Sequence, residues 1–337
     1  MKSSVSDARS SIEPMKSWVA SDLQRVEALL LAHGSNDLTP LLSTVTTRLI
    51  NAGGKRIRAM LTIISADMFL KCGDAHILLA SAIELMHTAT LLHDDVIDES
   101  SCRRGEKTAH LLWGNKVSIL SGDYLLAQSF QLMIKAGSLD VLELLMGVAA
   151  SISKAEVWQL ANLRDTRVGE HQYLEVIKNK TALLFSAACR VGGMINGATA
   201  IEINALGNFG LHLGILFQVI DDVLDYRADT ATYDKEIGKD LSEGKVTLPL
   251  IIALNRATDP DKDVLVSLIN GSVSESDLRL KIALQLFEKY AVFEYCNDFM
   301  TRCLDSALEA LEPLRKYEES MMLEEVLFDT IQRGRIQ

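Results

Sequence analysis

Two acidic motifs of the same form, D-D-x-x-D, lie in opposite halves of the 337-residue sequence, at positions 94–98 and 221–225. Apolar residues fill both x positions, and apolar residues with helical spacing surround each motif. On an α-helix the first and last aspartates of such a motif are four residues apart and share a face. The pairs that project together are Asp94 with Asp98, and Asp221 with Asp225.

Like charges at this spacing repel, and placing them in apolar surroundings costs free energy unless a cation lies between them. Carboxylate oxygens suit a hard ion, and Mg²⁺ typically combines one or two carboxylates with water and substrate phosphates. The spacing and the missing loop glycine exclude a calcium-binding EF-hand. The alternative, solvated acids at two helix ends, is weakened because the motif occurs twice within apolar runs.

A basic segment, G-G-K-R-I-R at positions 53–58, has the features of an anion site. Its two glycines allow the backbone to approach an anion closely, and positive charge follows where a helix begins. Lys55 and Arg58 are three residues apart and share a face, so both can hold one diphosphate. Arg56 points elsewhere, and we expect it to be a surface or salt-bridge residue.

Three further candidates lie near the first acidic motif. His87 precedes Asp94 by about two helical turns and therefore faces the same way. A single histidine on an apolar helix is usually a satisfied core residue, but beside Lys55 it can donate to a diphosphate. Arg103 and Arg104 stand on a turn beyond the motif, where adjacent side chains can diverge towards two neighbouring anions.

The second half contains a similar group of polar residues. Lys180 and Thr181 open an apolar helix, and Lys235 and Lys245 flank a polar loop at 236–244. Each lysine taken alone would be interpreted as a solvated surface charge. Their interest comes from the second acidic motif nearby.

The elements that must position these residues are predicted to be helical throughout. Only five prolines and 20 glycines occur, and no alternating pattern is long enough to build a sheet. Helical patterns cover the ranges 15–32, 38–51, 60–70, 75–99, 107–113, 117–136, 139–162, 167–177, 179–195, 199–228, 244–257 and 275–330. We therefore predict one large all-α domain over residues 1–337, with residues 1–19 as a loose N-terminal extension.

Composition excludes several classes of protein. A formal net charge of −11 disfavours nucleic-acid binding. Five cysteines without a C-x-x-C pair indicate neither a disulfide framework nor a zinc site, so a reducing cytoplasm is the expected compartment. Residues 1–20 contain no apolar signal region, and the longest apolar stretch, 77–92, is interrupted by Glu84 and His87. We expect no transmembrane segment, although a peripheral membrane contact stays compatible with the sequence.

Seven segments of the chain resemble the trans-type polyprenyl diphosphate synthases, specifically the octaprenyl, solanesyl and decaprenyl group, over residues 20–330. In order they are GGKRIR, ELMHTATLLHDDVID, RRG, GDYLL, KTALLF, FQVIDDVLDY and GKDLSEGKVTLPL. The resemblance implies an all-helical bundle around a deep central cavity and a homodimer. It also implies about two to three Mg²⁺ ions in each active site.

The resemblance assigns roles to the residues that match these segments. The expected metal ligands are Asp94, Asp98, Asp221 and Asp225, accompanied by Asp95 and Asp222. The expected ligands of isopentenyl diphosphate are Lys55, Arg58, His87 and Arg104. Those of the allylic diphosphate are Arg103, Lys180, Thr181, Gln218, Lys235 and Lys245. The six aspartates, Lys180 and Lys235 are also expected to be catalytic.

Product length is expected to depend on residues that precede the first acidic motif. Ala89 and Thr90 lie one turn before Asp94, and Met86 lies deeper along the same helix. Short-chain members of the family carry bulky aromatic residues near these positions. Small residues here predict a product of roughly eight to ten isoprene units, used for quinone side chains, by analogy with the family. The alternative is that Ala89 and Thr90 are ordinary packing residues.

The chain departs from the family pattern at two places. Ala59 stands where proline is usual, and Glu106-Lys107 replaces a common Lys-Pro pair. Both lie beside the contact positions, so we expect small effects on stability or loop shape. No role is assigned to residues 332–337.

Two other functions compete with a synthase. A terpene cyclase of the same fold would carry a different second metal motif, whereas the motif at 221–225 and the second diphosphate site at Lys55 and Arg58 are intact. A non-catalytic subunit that regulates a partner synthase would be expected to have lost an acidic motif, and neither is lost.

Overall fold

Helices make up nearly all regular structure in the computed structural model, which describes residues 13–34, 39–69, 73–227, 237–273 and 275–334. In chain order the α-helices are α1 (Glu13–Trp18), α2 (Ala20–Gly34), α3 (Pro40–Asn51), α4 (Ile57–Asp67), α5 (Ala75–Ile97), α6 (Ala109–Trp113), α7 (Asn115–Ala136), α8 (Leu139–Ala161), α9 (Glu170–Ile177), α10 (Leu183–Ile195), α11 (Ala200–Arg227), α12 (Lys239–Glu243), α13 (Leu248–Arg256), α14 (Asp259–Ile269), α15 (Ser276–Lys289), α16 (Val292–Ala310) and α17 (Ser320–Gly334). A π-helical turn, Lys178–Ala182, joins α9 to α10, and a 3₁₀ turn, Glu312–Leu314, precedes α17. The predicted all-α class is confirmed.

Proline positions help to define where these helices begin. Pro40, Pro249, Pro260 and Pro313 each occupy one of the first two positions of a helical segment. The first-turn N–H groups have no partner within the helix, so proline removes no hydrogen bond there and its fixed φ suits the helix. The scarcity of proline elsewhere allows long uninterrupted helices such as α5 and α11.

Helices α5 and α11 are central to the bundle and carry the acidic motifs near their C-terminal ends. α5 packs against α2, α4 and α7, while α11 packs against α10, α16 and α17. Asp98 is the first residue after α5, and α11 ends at Arg227, two residues after Asp225. A continuous cluster of buried apolar side chains extends from Met15 in α1 to Ile331 in α17. The core therefore holds both motif-bearing helices in place.

A small antiparallel hairpin follows the first acidic motif. Strand β1 (Cys102–Arg103) pairs with β2 (Glu106–Lys107), with Arg103 opposite Glu106. Arg104 and Gly105 form the tip and have φ values of +54° and +75°. The turn predicted around these residues is present, and the hairpin directs Arg103 and Arg104 into different environments.

The C-terminal region is more segmented than its sequence pattern suggests. The range 275–330, predicted as one helical stretch, contains α15, α16, the 3₁₀ turn and most of α17. Ala291 interrupts it with a left-handed φ of +51°, which ends one helix and allows the next to start in a new direction. Helix α14 lies in a range for which no helix is predicted. Apolar spacing alone misses both features because one reversed dihedral angle leaves the hydrophobic pattern almost unchanged.

The N-terminal prediction is also partly wrong. Residues 13–18 form α1, and the side chains of Met15 and Val19 are 0% and 2% exposed. α1 contacts both α2 and α17. This segment is therefore packed against the bundle rather than loosely attached, while residues 1–12 lie outside the described ranges.

Two of the described helices, α5 and α11, are long and apolar enough to cross a membrane by length and composition alone. The apolar stretch at 77–92 is only part of α5, and the whole helix is longer than that stretch. In both helices most of the apolar window is buried inside the fold, 72% in α5 and 56% in α11. Such burial is expected of the core helices of a bundle.

Candidate active site

The first acidic motif combines one buried and two partly buried carboxylates at the end of α5. Burial raises the pKa of Asp94 to about 7, and the negative charges of Glu156 and Asp98 add to this effect. Asp98 forms an ion pair with Lys245, whose Nζ lies 3.0 Å from Asp98 Oδ1. The protein thus holds negative charge at Asp94 only at an electrostatic cost, which a bound cation would reduce.

Asp95 has a different environment from its two neighbours in the motif. Its side chain is fully buried, and Arg103 donates to Oδ1 from Nε and Nη2, both at 2.8 Å. The other oxygen, Oδ2, is buried without a hydrogen-bond partner. Asp95 therefore fixes the guanidinium of Arg103 at the entrance to the first motif.

The second acidic motif is stabilised by a chain of hydrogen bonds. The Tyr173 hydroxyl donates to Asp222 Oδ2 at 2.7 Å, and Gln218 Nε2 donates to Oδ1 at 2.8 Å. Thr181 in turn donates to Gln218 Oε1 at 2.8 Å. Burial raises the pKa of Asp222 to about 6, and the negative charges of the other two aspartates of the motif add smaller contributions. The hydrogen bonds from Tyr173 and Gln218 act against this shift.

The π-helical turn at Lys178–Ala182 places Lys180 and Thr181 beside this chain. Single π turns within α-helices re-aim side chains and often occur at functional sites. Lys180 Nζ lies 2.7 Å from Glu156 and 2.9 Å from Gln159 Oε1, both on α8. Lys180 therefore stands between α8 and the second acidic motif.

The segment after the second motif folds back onto its last aspartate. The backbone N–H of Asp240 donates to Asp225 Oδ2 at 3.0 Å, and the N–H of Gly238 donates to the carbonyl of Asp225 at 2.7 Å. Burial and the charge of Asp225 raise the pKa of Asp240 well above its usual range. Another carboxyl group thus lies beside the motif. Lys235, expected in this region, lies outside the described residues.

A cavity of about 320 Å³ lies beside the first motif and is lined by basic side chains. Its basic lining residues are Arg48, Lys55, Arg56, Arg58, His87, Arg103, Arg104, Lys107 and Arg333. All four residues predicted to hold isopentenyl diphosphate line this cavity. A concentration of positive charge in one concave site suits a diphosphate.

Two of these residues are strongly affected by burial. Burial lowers the pKa of Arg58 to about 10, partly opposed by the charge of Glu84, so the guanidinium stays cationic near neutral pH. It lies 4.3 Å from the centre of the Phe185 ring, within the range of a cation–π contact. Burial, followed by the charge of Arg58, lowers the pKa of His87 well below its usual range. His87 is therefore a neutral donor in this cavity.

Gly54 allows Arg104 to lie against the backbone. Its φ is +152°, and a Cβ placed there would lie 2.9 Å from Arg104 Nη2. The backbone conformation therefore requires glycine, and a side chain there would displace the Arg104 guanidinium. This contact brings the hairpin tip against the start of the basic segment.

Arg56 is buried rather than on the surface. It has a left-handed φ of +50°, donates from Nη2 to the carbonyl of Ile50 at 2.7 Å, and pairs with Glu84 at 3.6 Å. Glu84 Oε1 also accepts the N–H of Ala59 at 3.0 Å. Proline at position 59 would lack that N–H, so this departure from the family pattern adds a hydrogen bond between α4 and α5.

The candidate chain-length residues lie on α5 with different exposures. Ala89 and Met86 are each 1% exposed, and both belong to the buried apolar cluster. Thr90 is half-buried, and its hydroxyl donates to the carbonyl of His87 at 2.8 Å. The two small residues thus lie between His87 and Asp94 on the helix that carries the first motif.

Four residues that bear on the site escape sequence reasoning. Glu84 is visible only as an interruption of an apolar run, and Tyr173 gives no signal at all. Arg333 and Asp329 lie near the C-terminus, on α17, far in sequence from either motif. Lys55 Nζ is 3.3 Å from Asp329 Oδ2, and Arg333 Nη2 is 3.6 Å from Asp221 Oδ1.

In the part of the chain that the structure describes, no three His, Cys, Asp or Glu side chains converge tightly enough to hold a metal ion alone. The carboxylates instead occur as separate sets on α5 and α11. Oxygen ligands in small sets fit Mg²⁺, which keeps water molecules and completes its coordination with substrate phosphates. Both sets are also partly buried, which favours a cation.

Comparison with known proteins agrees with this geometry. A family model described as polyprenyl synthetase matches residues 39–287. The octaprenyl diphosphate synthase of Escherichia coli (strain K12) is 38% identical over 305 residues, covering 90% of this chain and 93% of that protein.

Two solved structures are similar over almost the whole chain. A decaprenyl diphosphate synthase from Rhodobacter capsulatus has a TM-score of 0.91 and 40% identity, covering 96% of this chain and 99% of that one. A polyprenyl synthase from Caulobacter crescentus CB15, complexed with calcium and isoprenyl diphosphate, has a TM-score of 0.89 and 34% identity, covering 95% and 97%. This chain therefore belongs to the trans-polyprenyl diphosphate synthase family, has the all-α isoprenoid synthase fold and is a prenyltransferase.

Proposed function

We propose that this protein is a magnesium-dependent synthase that adds isopentenyl diphosphate repeatedly to an allylic diphosphate, such as farnesyl diphosphate. The observation that carries the proposal is the position of a basic cavity of about 320 Å³ beside the acidic motif on α5. Within it, Asp95 belongs to the motif and also anchors Arg103. A diphosphate in the cavity would thus lie next to a second diphosphate held at the two acidic motifs.

The division of the site suggests a role for each group of residues. Lys55, Arg58, His87 and Arg104 hold isopentenyl diphosphate in the cavity. Arg103, Lys180 and Lys245 contact the allylic diphosphate, together with Thr181 and Gln218, which are already linked to Asp222. The metal ligands on α5 and α11 are Asp94, Asp98, Asp221 and Asp225. When bound, Mg²⁺ supplies positive charge that stabilises the departing diphosphate.

The reaction needs positioning and charge stabilisation rather than a covalent nucleophile. The allylic C–O bond breaks as negative charge develops on the diphosphate, which the arginine and lysine side chains stabilise. The double bond of isopentenyl diphosphate attacks the allylic carbon and a new C–C bond forms. The proton lost from the isopentenyl unit leaves with the released diphosphate. Buried apolar residues along α5, including Ala89, keep water away from the cationic carbon.

We propose a product of about C40 to C50, used for quinone side chains, because small side chains at Ala89 and Thr90 leave room beyond the first motif. Several related proteins are named as long-chain synthases, which supports this range. Each of those names describes the product of that protein. The test is to incubate the purified protein with Mg²⁺, labelled isopentenyl diphosphate and farnesyl diphosphate, and to size the dephosphorylated products. A product of fewer than about five units would contradict the proposed length.

We also propose that the protein is a homodimer in the cytoplasm and that each chain forms a single domain. Large apolar side chains are exposed on the neighbouring helices α6, α7 and α8. They include Leu111 (52%), Leu120 (66%), Ile134 (65%), Leu139 (80%) and Val157 (67%). A second copy of the chain would cover such a surface. Light scattering should give twice the mass of 37.1 kDa, and Leu120→Glu should shift the protein towards monomer.

The rival function, a non-catalytic regulatory subunit, predicts that the purified chain makes no product alone. Activity that appears only after a partner synthase is added would support it. Both acidic motifs and the basic cavity are retained, which favours the catalytic proposal.

A further inference from the structure

Glu84 is a buried carboxylate on the helix that carries the first acidic motif. It interrupts the apolar run of α5, and its side chain is only 4% exposed. It lies three residues before His87, so both project from one face of α5 into the basic cavity that they line. A charged group inside an apolar helix costs free energy unless it is paired. The partners of Glu84 therefore indicate what its charge does.

Two contacts hold this carboxylate against the basic segment. Oε1 accepts the N–H of Ala59 at 3.0 Å, and Oε2 lies 3.6 Å from Arg56 Nη1. The second distance is within ion-pair range but longer than a normal hydrogen bond. A backbone group thus fixes the carboxylate, while its charge acts on the guanidinium groups around it.

The charge of Glu84 reaches residues expected to hold isopentenyl diphosphate. Burial lowers the pKa of Arg58 and that of Arg104, and in both cases the charge of Glu84 acts in the opposite direction. Among the described residues, nothing accepts a hydrogen bond from the buried Nε atoms of Arg56 and Arg58. Glu84 therefore offsets positive charge in the cavity without occupying all the donors that a diphosphate would use.

The other carboxylates that line the cavity are less suited to this role. Asp95 is held by Arg103, and Glu106 pairs with Arg48 at 2.8 Å with half of its side chain exposed. Eight arginine and lysine side chains line the cavity, so positive charge is in excess. Solvent screens an exposed carboxylate much more than a buried one. The buried charge of Glu84 thus has the larger influence on how tightly the basic segment holds an anion.

The proposed reaction makes the strength of this hold important. The allylic diphosphate departs as the new C–C bond forms, so the lengthened chain carries the diphosphate of the isopentenyl unit. That diphosphate lies in the basic cavity. For the next addition it must lie at the two acidic motifs, because it then becomes the leaving group. Each cycle therefore requires a diphosphate to leave the basic cavity, and tighter binding there slows this step.

We propose that Glu84 weakens the hold of the basic cavity on a diphosphate, so that the lengthened chain can move to the acidic motifs between additions. The inference rests on the proposed function. Glu84 acts through the guanidinium groups beside it and does not contact the diphosphate itself. Its neutralisation should make the cavity bind more tightly and the enzyme turn over more slowly, which is the opposite of losing a ligand.

Equilibrium binding of isopentenyl diphosphate tests the first half of this proposal. The compound is titrated calorimetrically into the protein with a chelator and without an allylic substrate, so that the metal-free acidic motifs repel it. Glu84→Gln keeps the shape of the side chain and an acceptor for the N–H of Ala59, but removes the charge. The dissociation constant should fall about tenfold, because the positive charge around the ligand is no longer offset.

Steady-state kinetics with Mg²⁺ and farnesyl diphosphate tests the second half. Glu84→Gln should show a lower KM for isopentenyl diphosphate together with a kcat that is reduced several-fold, because the diphosphate leaves the cavity more slowly. A residue that only maintained the fold would raise this KM, or leave it unchanged, when replaced. The simultaneous fall of both parameters therefore separates control of affinity from a structural role.

Two variants that keep the charge are the matched controls. Ala59→Pro removes the N–H that Glu84 accepts, and proline is tolerated in the first turn of a helix. Glu84→Asp shortens the side chain by one carbon. Both should bind isopentenyl diphosphate with the wild-type affinity. Tighter binding in Ala59→Pro would assign the effect to the contact between α4 and α5 and would overturn the proposal.

The remaining outcomes also decide the question. Unchanged or weaker binding in Glu84→Gln with a wild-type melting temperature overturns the proposal. If Glu84→Gln is destabilised, the double variant with Arg56→Gln removes both charges of the pair and should return the affinity to that of the wild type. A folded double variant whose affinity differs about tenfold from the wild type overturns it too.

The wild type itself separates this proposal from the proposed function. A wild type that incorporates isopentenyl units with Mg²⁺ but shows no binding with the chelator overturns the role of Glu84 alone. A wild type that neither binds nor incorporates isopentenyl diphosphate refutes the proposed function, and the role of Glu84 with it.

Discussion

Lys245 Nζ lies 3.0 Å from Asp98 Oδ1, which joins the loop after α12 to the end of α5 across 147 residues of sequence. Glu243 is a second partner, at 2.8 Å. Although burial alone would lower the pKa of Lys245, the charges of Asp98 and Glu243 outweigh it and raise that pKa. Lys245 is therefore a permanent cation that connects the segment following the second motif to the first motif.

Lys245→Gln should weaken binding of the allylic diphosphate more than binding of isopentenyl diphosphate. Removal of this cation leaves Asp98 and Glu243 close together, and the resulting repulsion disturbs the first motif. We expect KM for the allylic substrate to rise about tenfold, with a much smaller change in KM for isopentenyl diphosphate. Steady-state kinetics with each substrate varied in turn measures both. Lys262→Gln, at an exposed position on α14, is the control, and an equal rise in both KM values would contradict the assignment.

Gly54→Ala should damage the isopentenyl diphosphate site. The new Cβ would lie 2.9 Å from Arg104 Nη2, and the φ of +152°, which essentially only glycine adopts, strains any other residue by about 1–3 kcal/mol. We expect KM for isopentenyl diphosphate to rise about tenfold and the melting temperature to fall. Gly147→Ala, in α8, is the control. Nothing lies within 4 Å of the added Cβ, and alanine inside the helix should raise the free energy of unfolding by about 0.5–1 kcal/mol. Unchanged kinetics in Gly54→Ala would refute the role of this close contact.

Ala89→Phe should shorten the product. Ala89 is 1% exposed within the buried cluster, so an aromatic ring there must occupy space beyond the first motif. The dephosphorylated products of the variant should be several isoprene units shorter than those of the wild type when sized by chromatography. Ala89→Ser adds one atom and should leave the length unchanged. A full-length product from a folded Ala89→Phe variant would indicate that the growing chain does not pass this position.

Glu202 should make stability depend on pH in the acidic range. It forms a capping box with Thr199 at the start of α11 and accepts from Lys316 and Tyr317 at 2.8 and 2.7 Å. These hydrogen bonds, Lys316 foremost, lower the pKa of Glu202 from 4.5 to about 2. The carboxylate therefore contributes its stability above about pH 4.5, and that contribution is lost as pH falls towards 2.

Chemical unfolding of wild type and Glu202→Gln at several pH values tests this prediction. The wild type should be more stable at pH 6, and the difference should shrink steadily between pH 4.5 and 2. Glu288→Gln, on an exposed position of α15, should show no such trend. A difference that stays constant across this range would show that the contacts of Glu202 do not depend on its charge.

The acidic motifs and the basic segment are predictable because each is a local pattern on one helix or turn. The spacing of Asp94 and Asp98 implies a shared face without knowledge of the fold. Lys55 and Arg58 both line the cavity, as the shared anion site predicts, but Lys55 precedes α4 and does not share a helical face with Arg58. Residues three or four apart on a helix are close in any fold, so such patterns can be recognised without knowledge of the tertiary structure.

Contacts between distant segments are not predictable in this way. The pairs formed by Lys55 with Asp329 and by Asp221 with Arg333 depend on how α17 packs, which no local pattern specifies. Arg56 shows a second limit. Its pair with Glu84 fits the predicted salt-bridge role, but its burial and its place in the lining of the cavity depend on how α4 and α5 pack. The left-handed φ at Ala291 shows a third, because it divides a continuous apolar pattern into two helices.

The most direct test of the central claim is the incorporation of labelled isopentenyl diphosphate into farnesyl diphosphate across a Mg²⁺ titration. Wild type, Asp94→Asn and Asp221→Asn are compared at equal concentration, with melting temperatures as the check on folding. We predict incorporation that rises with Mg²⁺ and stops on chelation. In both variants it should fall about a hundredfold to a thousandfold, because charge stabilisation at the departing diphosphate is lost. Wild-type rates in folded variants, or incorporation that continues with the chelator, would contradict a metal-dependent reaction at the two acidic motifs.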